Sequence, residues 1–101
     1  AEICIVRCVL QHLSNQMIKN FLNNINGKFN YLLITEHFPS QEDFIPNKDI
    51  ITGPNIRLSY DSAVDLAKSP FYLNILNEKN ICKIYSESID GFLNTQLYKL
   101  K

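Results

Sequence analysis

Ile3-Cys4-Ile5-Val6-Arg7-Cys8-Val9-Leu10-Gln11-His12-Leu13-Ser14 is the stretch on which the fold turns. Its first eight residues, Ile3 to Leu10, form a nearly continuous apolar run rich in Ile and Val. Runs of that kind suit a parallel strand covered on both faces. Ser14 then offers a side-chain oxygen to the first turn of a helix, the usual N-cap chemistry. Met17, Ile18, Phe21, Leu22 and Ile25 follow at helical spacing, with Gln16, Lys19, Asn20, Asn23 and Asn24 on the opposite side. Asn26-Gly27 is a natural stop. The expectation is an amphipathic helix lying on a sheet, as in the middle of a nucleotide-binding α/β domain rather than at its start. No glycine-rich loop precedes the strand: Gly27, Gly53 and Gly91 are the only glycines, and they are far apart.

Further along, Phe29 to Thr35 reads as a second buried-type strand. Strand, helix and strand with short connections predict a right-handed parallel crossover. Residues 38–60 show no period and contain Pro39, Pro46, Gly53 and Pro54. A long irregular segment in a small domain is often functional. Asp61 to Lys68 has room for a helical turn or two before Ser69-Pro70 ends it. Phe71 to Leu76 is apolar and fits either element. Lys79 to Ser86 and Gly91 to Leu100 read as two strands of a hairpin, with Asp90-Gly91 as the turn signal.

Composition narrows the functional classes. The 101 residues are enough for one small domain, residues 1–101, and 46% hydrophobic content argues against wholesale disorder. Ten basic and ten acidic side chains leave no net charge. Proteins that bind nucleic acid usually carry a basic excess, so nucleic acid is not an expected partner. No run approaches the roughly twenty apolar residues that span a bilayer, and a membrane is not expected either. Cys4, Cys8 and Cys82 are an odd count without a C-x-x-C, and Cys4 and Cys8 are too far apart on a strand to pair. A reducing, cytoplasmic setting is the simplest expectation. With only His12 and His37 to add, these cysteines lack the spacing of a metal cluster, and no metal is expected.

The order of elements, together with several local motifs, resembles the C-terminal half of class I S-adenosylmethionine-dependent methyltransferases. Val6-Arg7-Cys8-Val9-Leu10-Gln11-His12-Leu13-Ser14 is similar to the Arg-Asp-Val-Leu-Gln-His-Leu-Ser segment that ends their fourth strand. Tyr31-Leu32-Leu33-Ile34-Thr35 looks like their fifth. Asn47-Lys48-Asp49-Ile50-Ile51-Thr52-Gly53, then Arg57, then Pro70-Phe71, resembles the Asn-x-Asp-Ile…Gly…Arg…Pro-Phe stretch of one bacterial branch. The resemblance implies half of a Rossmann-like sheet, S-adenosylmethionine as cofactor, and methyl transfer to an unidentified small-molecule or protein acceptor. Two departures stand out. The family's cofactor-binding half is absent, so this chain alone is expected to be inactive. Cys8 also stands where that branch usually has Asp.

Ligands of open α/β sheets sit outside the carboxyl ends of the strands. Two clusters are expected there: Arg7, Cys8, Gln11 and His12, and Thr35, Glu36, His37 and Phe38. By resemblance, the first flanks the methionine end of the cofactor, with Arg7 and Cys8 as cofactor contacts, and the second lines the acceptor side. His12 or His37 could serve as a base, since imidazole titrates near neutrality. Equally, His12 could begin the helix and His37 could sit in a solvated loop. Glu36 could assist His37 only if a turn brings them together, because strand neighbours point to opposite faces. Arg7 could hold an anion, or pair with Glu36 across the strands. Asn47, Asp49 and Arg57 could fix the long loop through backbone bonds. The alternative to an enzyme is a non-catalytic fragment or assembly module, a homo-oligomer formed through an exposed first strand or a partner to a missing N-terminal half.

Overall fold

The computed structural model describes residues 2–101 as a small α/β domain. Four strands, β1 (Ile3–Arg7), β2 (Tyr31–Pro39), β3 (Ile75–Ser86) and β4 (Gly91–Leu100), form one sheet in the order β1-β2-β4-β3. β1 and β2 are parallel; β4 runs antiparallel to both β2 and β3. A single α-helix, α1 (Asn15–Ile25), makes the crossover between the parallel strands. Among the described residues, no helix is long and apolar enough to cross a membrane.

Local chemistry explains the helix. The Ser14 hydroxyl accepts from the Met17 N–H at 3.2 Å, satisfying one of the donors that a helix start leaves free. Past the last turn, Gly27 takes a left-handed conformation at φ 76°. Between these ends, Ile18 and Ile25 are buried and Phe21 and Leu22 pack beside them, against Leu32, Ile34 and Tyr98 of the sheet.

The strands differ from their sequence expectation at their ends. β1 stops at Arg7, not Leu10, because Cys8 turns to φ 54° and the chain enters a 3-10 turn at Leu10–His12. β2 continues past Thr35 to Pro39, since β4 pairs with it along its whole length. β3 begins at Ile75, which assigns the ambiguous Phe71–Leu76 stretch in part to a strand. The helical turn expected within Asp61–Lys68 lies earlier, at Arg57–Tyr60, where the left-handed Asp61 ends it. Residues 87–90 make the hairpin turn, with Asp90 at φ 48° before Gly91.

Gly91 is required by a close approach. It faces Pro39 in the register, and a Cβ there would collide with the Phe38 carbonyl oxygen. Gly91→Ala is expected to cost about 2 kcal/mol, the usual scale for forced overpacking. Thermal unfolding measures this directly, and an unchanged Tm would mean that the strands part there without strain.

Alternation gives the sheet two unlike faces. Leu32, Ile34 and Glu36 of β2 point to one face and are buried. α1 and the long segment both pack on that face, and Val64 and Leu66 join its core. The register places Ile3, Ile5 and Arg7 of β1 beside Leu33, Thr35 and His37 of β2 and Leu93, Thr95 and Leu97 of β4 on the other face. Leu58 of the long segment reaches it at its Pro39–Gly91 end, and elsewhere its residues are half-buried or exposed. Ile5 is 67% exposed and Ile84 59%. β1 is also an edge strand, so its outer N–H and C=O groups lack a ladder partner.

Candidate functional site

The carboxyl ends of β1 and β2 carry the residues that the sequence marks, but divide them between the two faces. On the bare face, the Cys8 N–H donates to the Thr35 carbonyl at 2.7 Å, and this bond extends the β1–β2 pairing by one residue. The left-handed turn at Cys8 swings its thiol toward His37, with Sγ 3.8 Å from Nε2. A positive φ at a residue other than glycine is uncommon and tends to occur where surrounding structure imposes it. Burial pushes the Cys8 thiol up, Glu36 adds to this, and Arg7 opposes it. The thiol is therefore protonated near neutrality. Burial lowers the His37 pKa, and His12 and Arg7 lower it further by repelling a second positive charge. His37 is accordingly a neutral imidazole at pH 7, and its Nδ1 is buried without a partner among the described residues.

Glu36 lies on the opposite face, 1% exposed, with Oε1 accepting from the Leu10 N–H at 2.8 Å. Burial pushes its carboxyl up to about 7, although the backbone donors of Leu10, Gln11 and Val9 and the Arg57 charge favour the ionised form. Its Oε2 and the Gln11 Oε1 are both buried acceptors without a partner. One alternative read from the sequence is not realised, and one condition it set is not met. Arg7 pairs in register with Thr35 and points to the bare face, so it does not bridge to Glu36. Glu36 and His37 point apart, as neighbours on a strand must, and Glu36 does not orient His37.

His12 neither begins nor caps α1. It sits in the 3-10 turn, where Nδ1 lies 3.3 Å from the Asn55 carbonyl oxygen. The same turn carries the long segment as a roof. The Ser14 N–H donates to Thr52 Oγ1 at 2.8 Å, the Asn15 N–H to Asp49 Oδ1 at 2.9 Å, and the Gly53 N–H to the His12 carbonyl at 3.0 Å. Asn47 bonds through both ends of its amide. Nδ2 donates to the Asp65 and Ser69 carbonyls at 2.8 Å, and Oδ1 accepts from the Asp65 N–H at 2.8 Å. Arg57 is fully buried and donates from Nε to Lys48 O, from Nη1 to Leu10 O and from Nη2 to Asn15 Oδ1. Asn47, Asp49 and Arg57 thus fix the loop. The orphaned Gln11 and the contact of Cys8 with His37 were not legible in the sequence, because both depend on the unexpected turn at Cys8.

A loop that cradles S-adenosylmethionine would bring glycine backbone close to the ligand. Gly27 and Gly53 stand in open space, and Gly91 touches only its neighbouring strand and Leu58. Among the described residues, no three His, Cys, Asp or Glu side chains converge as a metal site. No protein-family model, curated protein or solved structure matches the chain.

Proposed function

We propose that this chain is the acceptor-side portion of an S-adenosylmethionine-dependent methyltransferase, whose cofactor is held by another stretch of polypeptide seated against it. The observation that carries this reading is a sheet face with Ile3, Ile5 and Ile84 exposed, ending in a parallel strand whose outer edge has no ladder partner among the described residues. Large apolar side chains left exposed on one sheet face suit an interaction site. Parallel strands are rarely stable with a face open to water. The sequence of parallel strand, crossover helix, parallel strand, long segment and antiparallel hairpin supports the same reading.

In this reading, the bare-face rim meets the acceptor. His37, uncharged at neutral pH, takes a proton from the acceptor if one must leave. Cys8 positions the ring, and the exposed Arg7 holds an anionic part of the acceptor. The chain lacks the loop that would orient the methyl donor, so it does not catalyse transfer alone.

The second reading, a non-catalytic module that assembles through β1, rests on the same free edge. Calorimetric titration with S-adenosylhomocysteine separates the two. The chain alone is expected to give no saturable heat, and a polypeptide extended upstream through a glycine-rich loop is expected to bind one equivalent. If the extended polypeptide carries no such loop, or binds nothing, the methyltransferase reading fails. A stable dimer of this chain in light scattering, together with that failure, would favour assembly.

A further inference from the structure

On the helix-bearing face, away from Cys8 and His37, the end of β2 opens into a trough. An outer concavity of about 380 Å³ and an inner one of about 110 Å³ share Phe38 and Asp65 as walls. The outer part lies within the roughly 300–1,000 Å³ range of small-molecule sites. One wall is aromatic: Phe38 and Phe44 meet edge to face, with centroids 5.6 Å apart and an angle of 83°. The rim carries charges of both signs, Lys68 and Lys83 against Glu42 and Asp65. Lys83 Nζ is braced 4.7 Å from the Phe92 ring centroid, which itself stacks edge to face with Tyr85.

We propose that this trough binds an aromatic α-amino acid as its zwitterion. A ligand with a single charge would be attracted by one pair of rim groups and repelled by the other. An α-amino acid carries both signs on adjacent atoms, so its carboxylate can face Lys68 and Lys83 while its ammonium faces Asp65 and Glu42. Its ring then extends the aromatic pair already in place, in the edge-to-face geometry that such rings prefer. Asp65 is suited to the ammonium. Burial raises its pKa, the Ala67 N–H partly offsets that, the Glu78 carboxylate on the inner wall raises it further, and the exposed Lys68 opposes. A ligand ammonium would supply the close positive charge it lacks. The inference does not depend on methyl transfer, because the trough and the bare-face rim lie on opposite sides of β2.

The test is a two-dimensional NMR titration of the whole chain with L-phenylalanine, phenethylamine and 3-phenylpropionate. Phenylalanine is expected to saturate with Kd on the order of 1 mM or tighter, shifting amides around Phe38, Phe44 and Lys83. The two analogues, each lacking one charge, are expected to bind about tenfold more weakly. Lys83→Gln, an exposed change whose folding a melting curve verifies, should weaken phenylalanine and 3-phenylpropionate and leave phenethylamine equal or slightly tighter, since one repelling cation is gone. Absence of saturation, equal binding of all three probes, or shifts confined to another surface would overturn the proposal.

Discussion

Arg57→Leu is expected to lower the unfolding free energy by about 3 kcal/mol or more and to release the long segment from the sheet. Arg57 is fully buried, and its guanidinium donates three hydrogen bonds, at 2.9 Å to Lys48 O, 2.9 Å to Leu10 O and 2.6 Å to Asn15 Oδ1. Leucine leaves all three acceptors without that donor. A buried group that loses its partner costs roughly 1–3 kcal/mol, more than the bond's net contribution when made. The three acceptors belong to the long segment, the 3-10 turn and the start of α1, so one side chain ties three pieces of chain together. Burial lowers the Arg57 pKa while Asp49 and Glu36 hold it up; the guanidinium stays charged, as arginine does in proteins. Arg57→Lys should recover only part of the loss, because an ammonium cannot reproduce the planar fork. Urea unfolding gives the magnitude, and limited proteolysis within residues 40–56 reports release of the segment. A loss below about 1 kcal/mol, with the segment still protected, would show that water replaces the guanidinium at little cost.

Residues close in sequence told most of what the sequence could tell about the fold. The helix was legible from Ser14 and the spacing of Ile18, Phe21, Leu22 and Ile25. The hairpin was legible from Asp90-Gly91. Both signals act over a turn or two of chain, where local sterics and capping decide the outcome. The candidate rim was less legible, because one residue changes its geometry. Cys8 adopts a left-handed conformation and ends β1 three residues early. This creates the 3-10 turn, brings the Cys8 thiol to His37 and places Leu10 over Glu36. Nothing in the run of Ile and Val around Cys8 signals such a turn. Arg57 was hidden for a different reason. Its carbonyl partner Leu10 lies 47 positions away, and its burial follows from tertiary packing alone. The opposition of Glu36 and His37, by contrast, follows from strand alternation and needed only the knowledge that both lie within β2.

The turn built around Glu36 makes stability depend on pH in a direction opposite to that of most carboxylates. Glu36 is pushed from its ordinary 4.5 up to about 7 in the folded chain. Below pH 4.5 the carboxyl is protonated whether the chain is folded or not, and it contributes no pH dependence. Between 4.5 and 7 the unfolded chain releases this proton while the folded chain keeps it, so stability falls as pH rises. Above 7 both states are ionised and the penalty is constant, roughly 3 kcal/mol for this separation of pKa values. Glu36→Gln removes the titration and keeps an acceptor for the Leu10 N–H. The variant is therefore expected to match the parent below pH 4.5 and to exceed it by up to roughly 3 kcal/mol above pH 7. Asp65, also raised by burial, and His37, lowered by it, titrate in both proteins and cancel in the difference. Denaturant unfolding at a series of pH values yields that difference curve. Parallel curves would mean that the carboxyl ionises in the fold as it does in water, with the three backbone donors of the turn fully offsetting its burial. A gap that opens between pH 4.5 and 7 would mean that the turn carrying Cys8, Leu10 and His12 is held, near neutrality, by a carboxyl that is only partly ionised.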